Sequence, residues 1–371
     1  MPARSGQGPG RGFERRFGRH AQLTRRDPRS QDAAMLFGSE IAAWSAPVIL
    51  FLALLLDAVV GEFGPLFRVL PHPVAMIGGL TGWFDRRLNR ARRGERVRAF
   101  RGMMVTLLMI ALAIAAGWGL RDLARALPHG WVIEVLAVTL LIAQRSLFDH
   151  VRAVARALDR DGLAGGRKAV ARIVGRDPES LDKHGVSRAA VESLAESFSD
   201  GVVAPVFWYL LLGLPGLLVY KTINTMDSMI GYRTPQHAAF GWMAARTDDV
   251  LNYIPARIAA ALIVLASVFV PRGRPRAAFR VMARDGGKHR SPNAGWPEAA
   301  MAGALGVALS GPRSYHGQAS DQPWIGAEFS ARIGPAEIRR GLYLFVVACL
   351  LEAVIVALIA TLTLAGPLNL F

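Results

Sequence analysis

The chain has 371 residues, 52% of them hydrophobic, with 44 Lys and Arg against 28 Asp and Glu, a formal net charge of +16 and one cysteine. A single cysteine excludes an internal disulfide and gives no sign of an oxidising compartment. The length allows two or three soluble domains, but repeated apolar runs near the roughly 18–20 residues that cross a bilayer argue for membrane spans instead.

Residues 1–38 are rich in Arg and polar residues and contain no apolar stretch. They are expected to form a disordered tail rather than a secretory signal, and Met35 offers an alternative start. A nucleic-acid role for this tail is disfavoured because no aromatic or folded motif accompanies the charge. Residues 39–371 are expected to form one helical membrane domain, with a polar cytoplasmic segment, 149–200, inserted in it. The predicted spans are Ile41–Val60, Met103–Leu120, Trp131–Phe148, Val202–Tyr220, Ile254–Val270 and Leu342–Ala365, the last containing Cys349 and Glu352. Ala299–Leu309 is apolar but short, a re-entrant or buried helix. The fold class is therefore all-α: a polytopic helical integral membrane protein of five to eight membrane segments. Its polar loops and amphipathic helices carry the site at the membrane face.

Basic clusters at 86–101, 150–190 and 272–290 belong in the cytoplasm by the positive-inside rule. Residues 71–84, "PHPVAMIGGLTGWF", must then return across or into the membrane, although Pro and Gly interrupt them. "VRAVARALDRDGLAGGRKAVARIV" (151–174) reads as two short amphipathic helices around a Gly-rich turn. Its "GLAGGRK" lacks the spacing and the Ser or Thr of a phosphate loop.

Four polar blocks border the apolar runs. In "VESLAESFSDG" (191–201) a helix over 187–200, with Ser187 as N-cap and Gly201 as stop, places Glu192, Glu196 and Asp200 within about 80° of one another. Val191, Leu194, Ala195 and Phe198 fall on the other side. An acid stripe with no Lys or Arg suits a hard divalent cation such as Mg²⁺, which takes carboxylates and bridges phosphates. "KTINTMDSMIGY" (221–232) sets Lys221, Asn224 and Asp227 at three-residue intervals, read as a helix start beside the membrane. In "DDVLNYIPAR" (248–257), Asp248, Asp249 and Asn252 can converge on one helical face, and Arg257 is either an interfacial anchor or an anion clamp. "DGGKHRSPNAGWPEA" (285–299) offers Lys288, His289, Ser291 and Asn293 beside a Gly pair and a helix start at Pro297 and Glu298, a suitable anion cradle. Together the blocks suit phosphate and metal chemistry at a membrane surface.

In these blocks, and in "HPVAMIG" (72–78) and "SYHG" (314–317), the sequence resembles the adenosylcobinamide-phosphate synthase family of cobalamin biosynthesis. The likeness covers roughly residues 45–365. It implies a multi-pass enzyme of the bacterial inner membrane, an ATP-dependent C–N ligase that uses Mg²⁺. Such an enzyme joins a propionate carboxylate of adenosylcobyric acid to (R)-1-amino-2-propanol phosphate, or to aminopropanol. It implies a corrinoid, the amine and the lipid bilayer as partners, no nucleic acid, and a complex with other enzymes of the pathway.

On that resemblance Glu192, Glu196, Asp200, Asp227, Asp248 and Asp249 are candidate metal holders. Lys221, Arg257, Lys288 and His289 are candidate phosphate or carboxylate binders, flanked by Asn224, Asn252, Ser291 and Asn293. The catalytic set is Glu196, Asp227, Asp248 and Lys288, with Glu196 or Asp248 placed to take the amine proton. No familiar nucleotide motif locates the ATP site. The rivals are a transporter, whose charges would lie within spans, and a non-catalytic scaffold for corrinoid enzymes.

Overall fold

The computed structural model describes residues 45–61, 72–174, 178–315, 318–320 and 322–366. The expected tail 1–38, residues 41–44 of the first predicted span, and His316 and Gly317 of "SYHG" lie outside the described residues. The described residues form one compact unit.

The helices run in the order α1 (Ala46–Val60), α2 (Pro73–Leu88), α3 (Glu95–Arg125), α4 (Trp131–Thr139), α5 (Gln144–Arg160), α6 (Gly162–Val170), α7 (Lys183–Phe198), α8 (Ala204–Ile230), α9 (Trp242–Leu251), α10 (Tyr253–Ala266), α11 (Pro275–Asp285), α12 (Gly295–Leu305) and α13 (Pro335–Leu364). Between α12 and α13 lie four short strands, β1 (Leu309–Ser310), β2 (Arg313–Tyr315), β3 (Gln318–Ser320) and β4 (Trp324–Ile325). β1 pairs antiparallel with β4, and β2 with β3.

This is the expected helical membrane architecture. Among the described residues four helical stretches are long and apolar enough to cross a bilayer, or up to five if the pair α9 and α10, bent by 46°, is one broken span. Their apolar residues are exposed in bands: Leu107, Leu108, Leu112, Ile114 and Trp118 on α3, and Leu350, Val354, Ile355 and Leu358 on α13. A helix that is apolar on its outward face as well as its inward one is built for a hydrocarbon surrounding.

Several local expectations are corrected. α7 starts at Lys183, because Asp182 is the N-cap and its Oδ1 accepts the Gly185 N–H at 2.6 Å. Ser187 lies inside the helix, donating back to Lys183 O at 3.0 Å. Gly201 does not stop the chain; Ser199–Val203 forms a π-helical turn and α8 follows directly. Lys221, Asn224 and Asp227 consequently stand in the last turns of α8, not at a helix start.

α2 is continuous where Pro and Gly were expected to interrupt it. His72 Nδ1 caps it by accepting from Val74 N, and Pro73 occupies the first turn, where a missing N–H costs nothing. The "GLAGGRK" stretch is helical; the turn is the single residue Gly162, at φ +64°. α12 begins two residues before Pro297 and is buried along its length, so the short apolar segment is a core helix.

The main core joins α1, α4–α8 and α10–α13. Phe198 meets Phe345 edge to face at 5.6 Å within it. The polar segment 149–200 takes part, with Val151, Val154, Leu158, Val186 and Leu194 all buried. A smaller core of Val105, Met109, Ile223, Met226, Ile230, Phe240 and Ala244 ties α3 and α9 to the end of α8.

α8 is kinked where Gly213 leaves helical geometry (φ 64°, ψ −156°) just before Pro215. α3 passes close by at Gly117, where an added Cβ would stand 2.5 Å from Pro215 Cα. Two residues on, Gly119 has open space. Gly117→Val should therefore destabilise the bundle by about 1–3 kcal/mol through overpacking. Gly119→Val should leave it within about 0.5 kcal/mol of wild type or slightly stabilise it. Thermal unfolding of the two variants in one detergent checks the pair.

Candidate functional site

The 48-residue helical stretch Lys183–Ile230 carries a polar centre. α7, the π turn and α8 make a nearly continuous rod, and α9 packs along the C-terminal part of α8. A π turn accommodates one more residue than an α turn, and such turns recur at functional sites. Here it carries Asp200. Asp200 lies within electrostatic reach of Glu196, Asp248 and Lys221, Asp248 within reach of Asp227 and Asp249, and Asp227 within reach of Asp249. Lys221, only 8% exposed, is the cation inside this group.

Amides hold the acids in place. Asn252 Nδ2 donates to Asp248 Oδ2 at 2.9 Å, and Asn224 Nδ2 approaches Asp248 Oδ1 at 3.5 Å. The buried Tyr220 hydroxyl is within donating distance of Asn252 Oδ1 (2.9 Å) and Asp200 O (3.0 Å), linking α8 to α9 and the π turn. Trp208 Nε1 donates to Leu251 O at 3.1 Å and fixes the end of α9.

Beside this centre is a cleft of about 420 Å³. Glu196, Ser197, Asp200, Gly201, Asn224 and Ser228 line it from the rod. Ala143, Ser146, Leu147 and His150 line it from α5 and the residue before it, and Arg172, Ile173 and Ser193 complete the lining. His150 Nδ1 donates to Ser146 O at 2.7 Å. That bond places the proton of a neutral ring on Nδ1 and leaves Nε2 as the acceptor. The Arg172 guanidinium is exposed and has no hydrogen-bond or ion-pair partner among the described residues.

The predicted site residues thus separate into groups. Glu196, Asp200, Lys221, Asn224, Asp227, Asp248, Asp249 and Asn252 come together around the rod. Asp249 also pairs with Arg246 at 3.0 Å. Glu192 does not line the cleft; its Oε1 accepts the Ser310 N–H at 2.7 Å and anchors β1 to α7.

The basic loop is engaged with protein partners. Arg257 donates to Asn293 Oδ1 (2.7 Å) and Pro292 O (3.1 Å) and stacks on Tyr253 and Trp296. Asn293 Nδ2 in turn donates to Asp249 O at 2.8 Å, which fastens the loop to the acidic centre. Ser291 Oγ accepts from Asn293 N and Ala294 N at the start of α12, and His289 Nδ1 accepts from Ser291 N at 3.1 Å. Lys288 Nζ lies 2.6 Å from Asp285 Oδ1.

Asp285, fully buried, also receives Arg284 and the Gly326 N–H. Burial alone would push its carboxyl up. The hydrogen bonds from Arg284, Lys288 and Gly326 N outweigh that and hold it well below the usual carboxylate range.

Sequence reasoning missed His150, Arg172 and Ser197. The only signal was the acid-flanked polar character of 149–200, which gives no reason to single out one His or one Arg among many. Among the described residues no three His, Cys, Asp or Glu side chains are arranged to hold a metal ion.

These features define a class: a polytopic helical membrane protein with an acid-rich polar cleft set among its helices. The chain belongs to the CobD/Cbib protein family, whose model matches residues 50–345. It is 48% identical over 316 residues to the cobalamin biosynthesis protein CobD of a Sinorhizobium species, covering 84% of this chain and 98% of the relative. It is 49% identical over 305 residues to the CobD of Rhizobium meliloti (81% and 93%), and 44% identical over 318 residues to that of Rhodobacter capsulatus (85% and 97%). No solved structure matches the chain.

Asp285 should carry stability rather than activity. Asp285→Ala leaves the Gly326 N–H without its acceptor and is expected to cost about 1–3 kcal/mol, the nearly half-exposed Arg284 and Lys288 being resolvated. Because the folded pKa is depressed, the ionised carboxylate stabilises the fold above the unfolded carboxylate pKa. That stabilisation is lost as pH falls through the folded value. The melting-temperature gap between wild type and Asp285→Asn should stay level above about pH 5 and narrow only in strong acid.

Proposed function

We propose that this chain catalyses the amide-forming step expected from the sequence resemblance. It would join a propionate carboxylate of adenosylcobyric acid to (R)-1-amino-2-propanol phosphate, in the bacterial inner membrane and at the expense of ATP. The observation that carries this reading is the gathering of Glu196, Asp200, Asp227 and Asp248, with the ammonium of Lys221 within reach of Asp200, beside an open cleft. Family membership and the names of the relatives support the pathway.

A carboxylate and an amine do not condense unaided, and the charge that builds up during activation must be neutralised. Carboxylates and amide oxygens are the donors a hard divalent cation prefers, so the donor set fits Mg²⁺. Magnesium is commonly held by one or two carboxylates with substrate phosphates and water completing its shell, which does not require a preformed cage of three acids. In this reading Asp200 and Asp248 would hold Mg²⁺, which supplies charge neutralisation to the phosphates of ATP. Asn252 and Asn224 orient Asp248, and Tyr220 fixes Asn252. Lys221 offsets the charge of Asp200. Glu196, exposed in the cleft, takes the proton that the amine loses as the C–N bond forms.

Transport is disfavoured by the acids inside apolar helices, because most are bonded to protein. Asp57 accepts from Gln144 N at 2.8 Å, and Glu134 Oε1 accepts from the Tyr209 hydroxyl at 2.8 Å. Within the last span, Glu352 Oε2 has no hydrogen-bond partner among the described residues.

The test is mass spectrometry on membranes carrying the protein, incubated with adenosylcobyric acid, Mg·ATP and the amine phosphate. The expected outcome is an ATP-dependent amide product. Asp200→Asn and Asp248→Asn should each lower its rate on the order of a hundredfold or more while inserting normally. Full activity in both variants, or no product from correctly inserted wild type, overturns the reading.

A further inference from the structure

The cleft carries both signs of charge, and its arginine and its histidine come from segments outside every predicted block. Arg172 follows α6, and His150 lies on α5. The Arg172 guanidinium and the Ser197 hydroxyl are unbonded among the described residues, and the Nδ1–H bond of His150 leaves Nε2 available. The guanidinium fork and the hydroxyl are donors that a phosphate takes, and His150 Nε2 accepts the P–O–H of a phosphate monoanion or donates to the dianion once the ring is protonated. The acids of the same cleft, Glu196 and Asp200, suit an ammonium.

We propose that Arg172, His150 and Ser197 form a phosphomonoester subsite, and that its ligand is the phosphate of the small amine substrate. This rests on the amide-forming reading for the name of the amine, but the anion site stands on the geometry of the cleft. A nucleotide is the other source of the same chemistry. It fits less well, because the described lining contains no Phe, Tyr or Trp ring to stack on a base, and Glu196 and Asp200 would repel the further phosphates of a nucleotide. A small zwitterion with phosphate on one group and ammonium on another matches a cleft of about 420 Å³ lined by both signs. Arg172 is then a specificity residue, selecting the phosphorylated amine over the free one.

Calorimetric titration of the purified protein in detergent tests this without turnover. The probes are (R)-1-amino-2-propanol phosphate, aminopropanol and ATP, on wild type, Arg172→Ala and Arg156→Ala, the last removing an exposed arginine of α5 outside the cleft lining. Arg172→Ala should weaken the amine phosphate by about tenfold or more and leave the other two probes unchanged. Arg156→Ala should bind all three as wild type does. Equal affinity of wild type and Arg172→Ala for the amine phosphate overturns the proposal, as does an equal loss in Arg156→Ala. A loss confined to ATP overturns the assignment to the amine and gives the subsite to the nucleotide. Arg172-dependent binding by a protein that makes no amide would sink the functional reading and leave the subsite standing; amide synthesis without that binding would do the reverse.

Discussion

A carboxylate taken into an apolar helical bundle must find a donor, a cation or a proton, and this single constraint sorts the acids of the chain. Asp57 accepts two backbone N–H groups at the start of α5, Glu134 takes a tyrosine hydroxyl, Glu192 takes Ser310 N, and Asp285 collects two cations and Gly326 N. Each of these pins one element to another. The cluster of Glu196, Asp200, Asp227 and Asp248 departs from the pattern, with Lys221 as its buried cation and amides as its donors. An excess of negative charge beside an open cleft calls for a proton or for counter-charge from outside, which is why the ligand is sought there and not at the better satisfied acids.

The scaffold brings these groups together through a rod that is apolar along most of its length. The π turn at Ser199–Val203 lets α7 run into α8 while giving Asp200 a setting different from the one a regular helix would impose. In an unbroken α-helix Glu192, Glu196 and Asp200 would share one stripe and compete for one ligand. In the folded chain Glu192 serves the strand side, Glu196 stands exposed in the cleft, and Asp200 meets α8 and α9. The stripe seen in the sequence is divided among three tasks.

The helical class and most spans were legible because apolar length is a local property. So was the convergence of Asp248 with Asn252, which needs only helical spacing. The helix ends were less legible. Asp182 outcompetes Ser187 as N-cap, and Gly201, which usually marks a helix end, is absorbed by a π turn. The Gly-rich stretches of α2 and α6 also misled, since glycine is read as punctuation when packing can hold it in a helix. At Gly78 an added Cβ would stand 3.2 Å from Met229 Sδ, so close approach of α2 to α8 is what favours glycine there.

The basic loop and the cleft show the remaining limit. From sequence, Lys288, His289 and Arg257 looked like an anion cradle because bases, glycines and a helix start are adjacent. Adjacent bases find adjacent acids and carbonyls as easily as ligands, and these three are bonded to Asp285, Ser291 and Asn293. Arg172 and His150 are separated in sequence from each other and from the acids they face, so no local pattern marks them. What leaves them available is tertiary: the segment 149–200, polar enough to resemble a loop, folds back so that its apolar face enters the core and its polar face becomes one wall of the cleft. The same burial that stabilises α5 and α7 therefore decides which arginine of an arginine-rich chain lines the cleft.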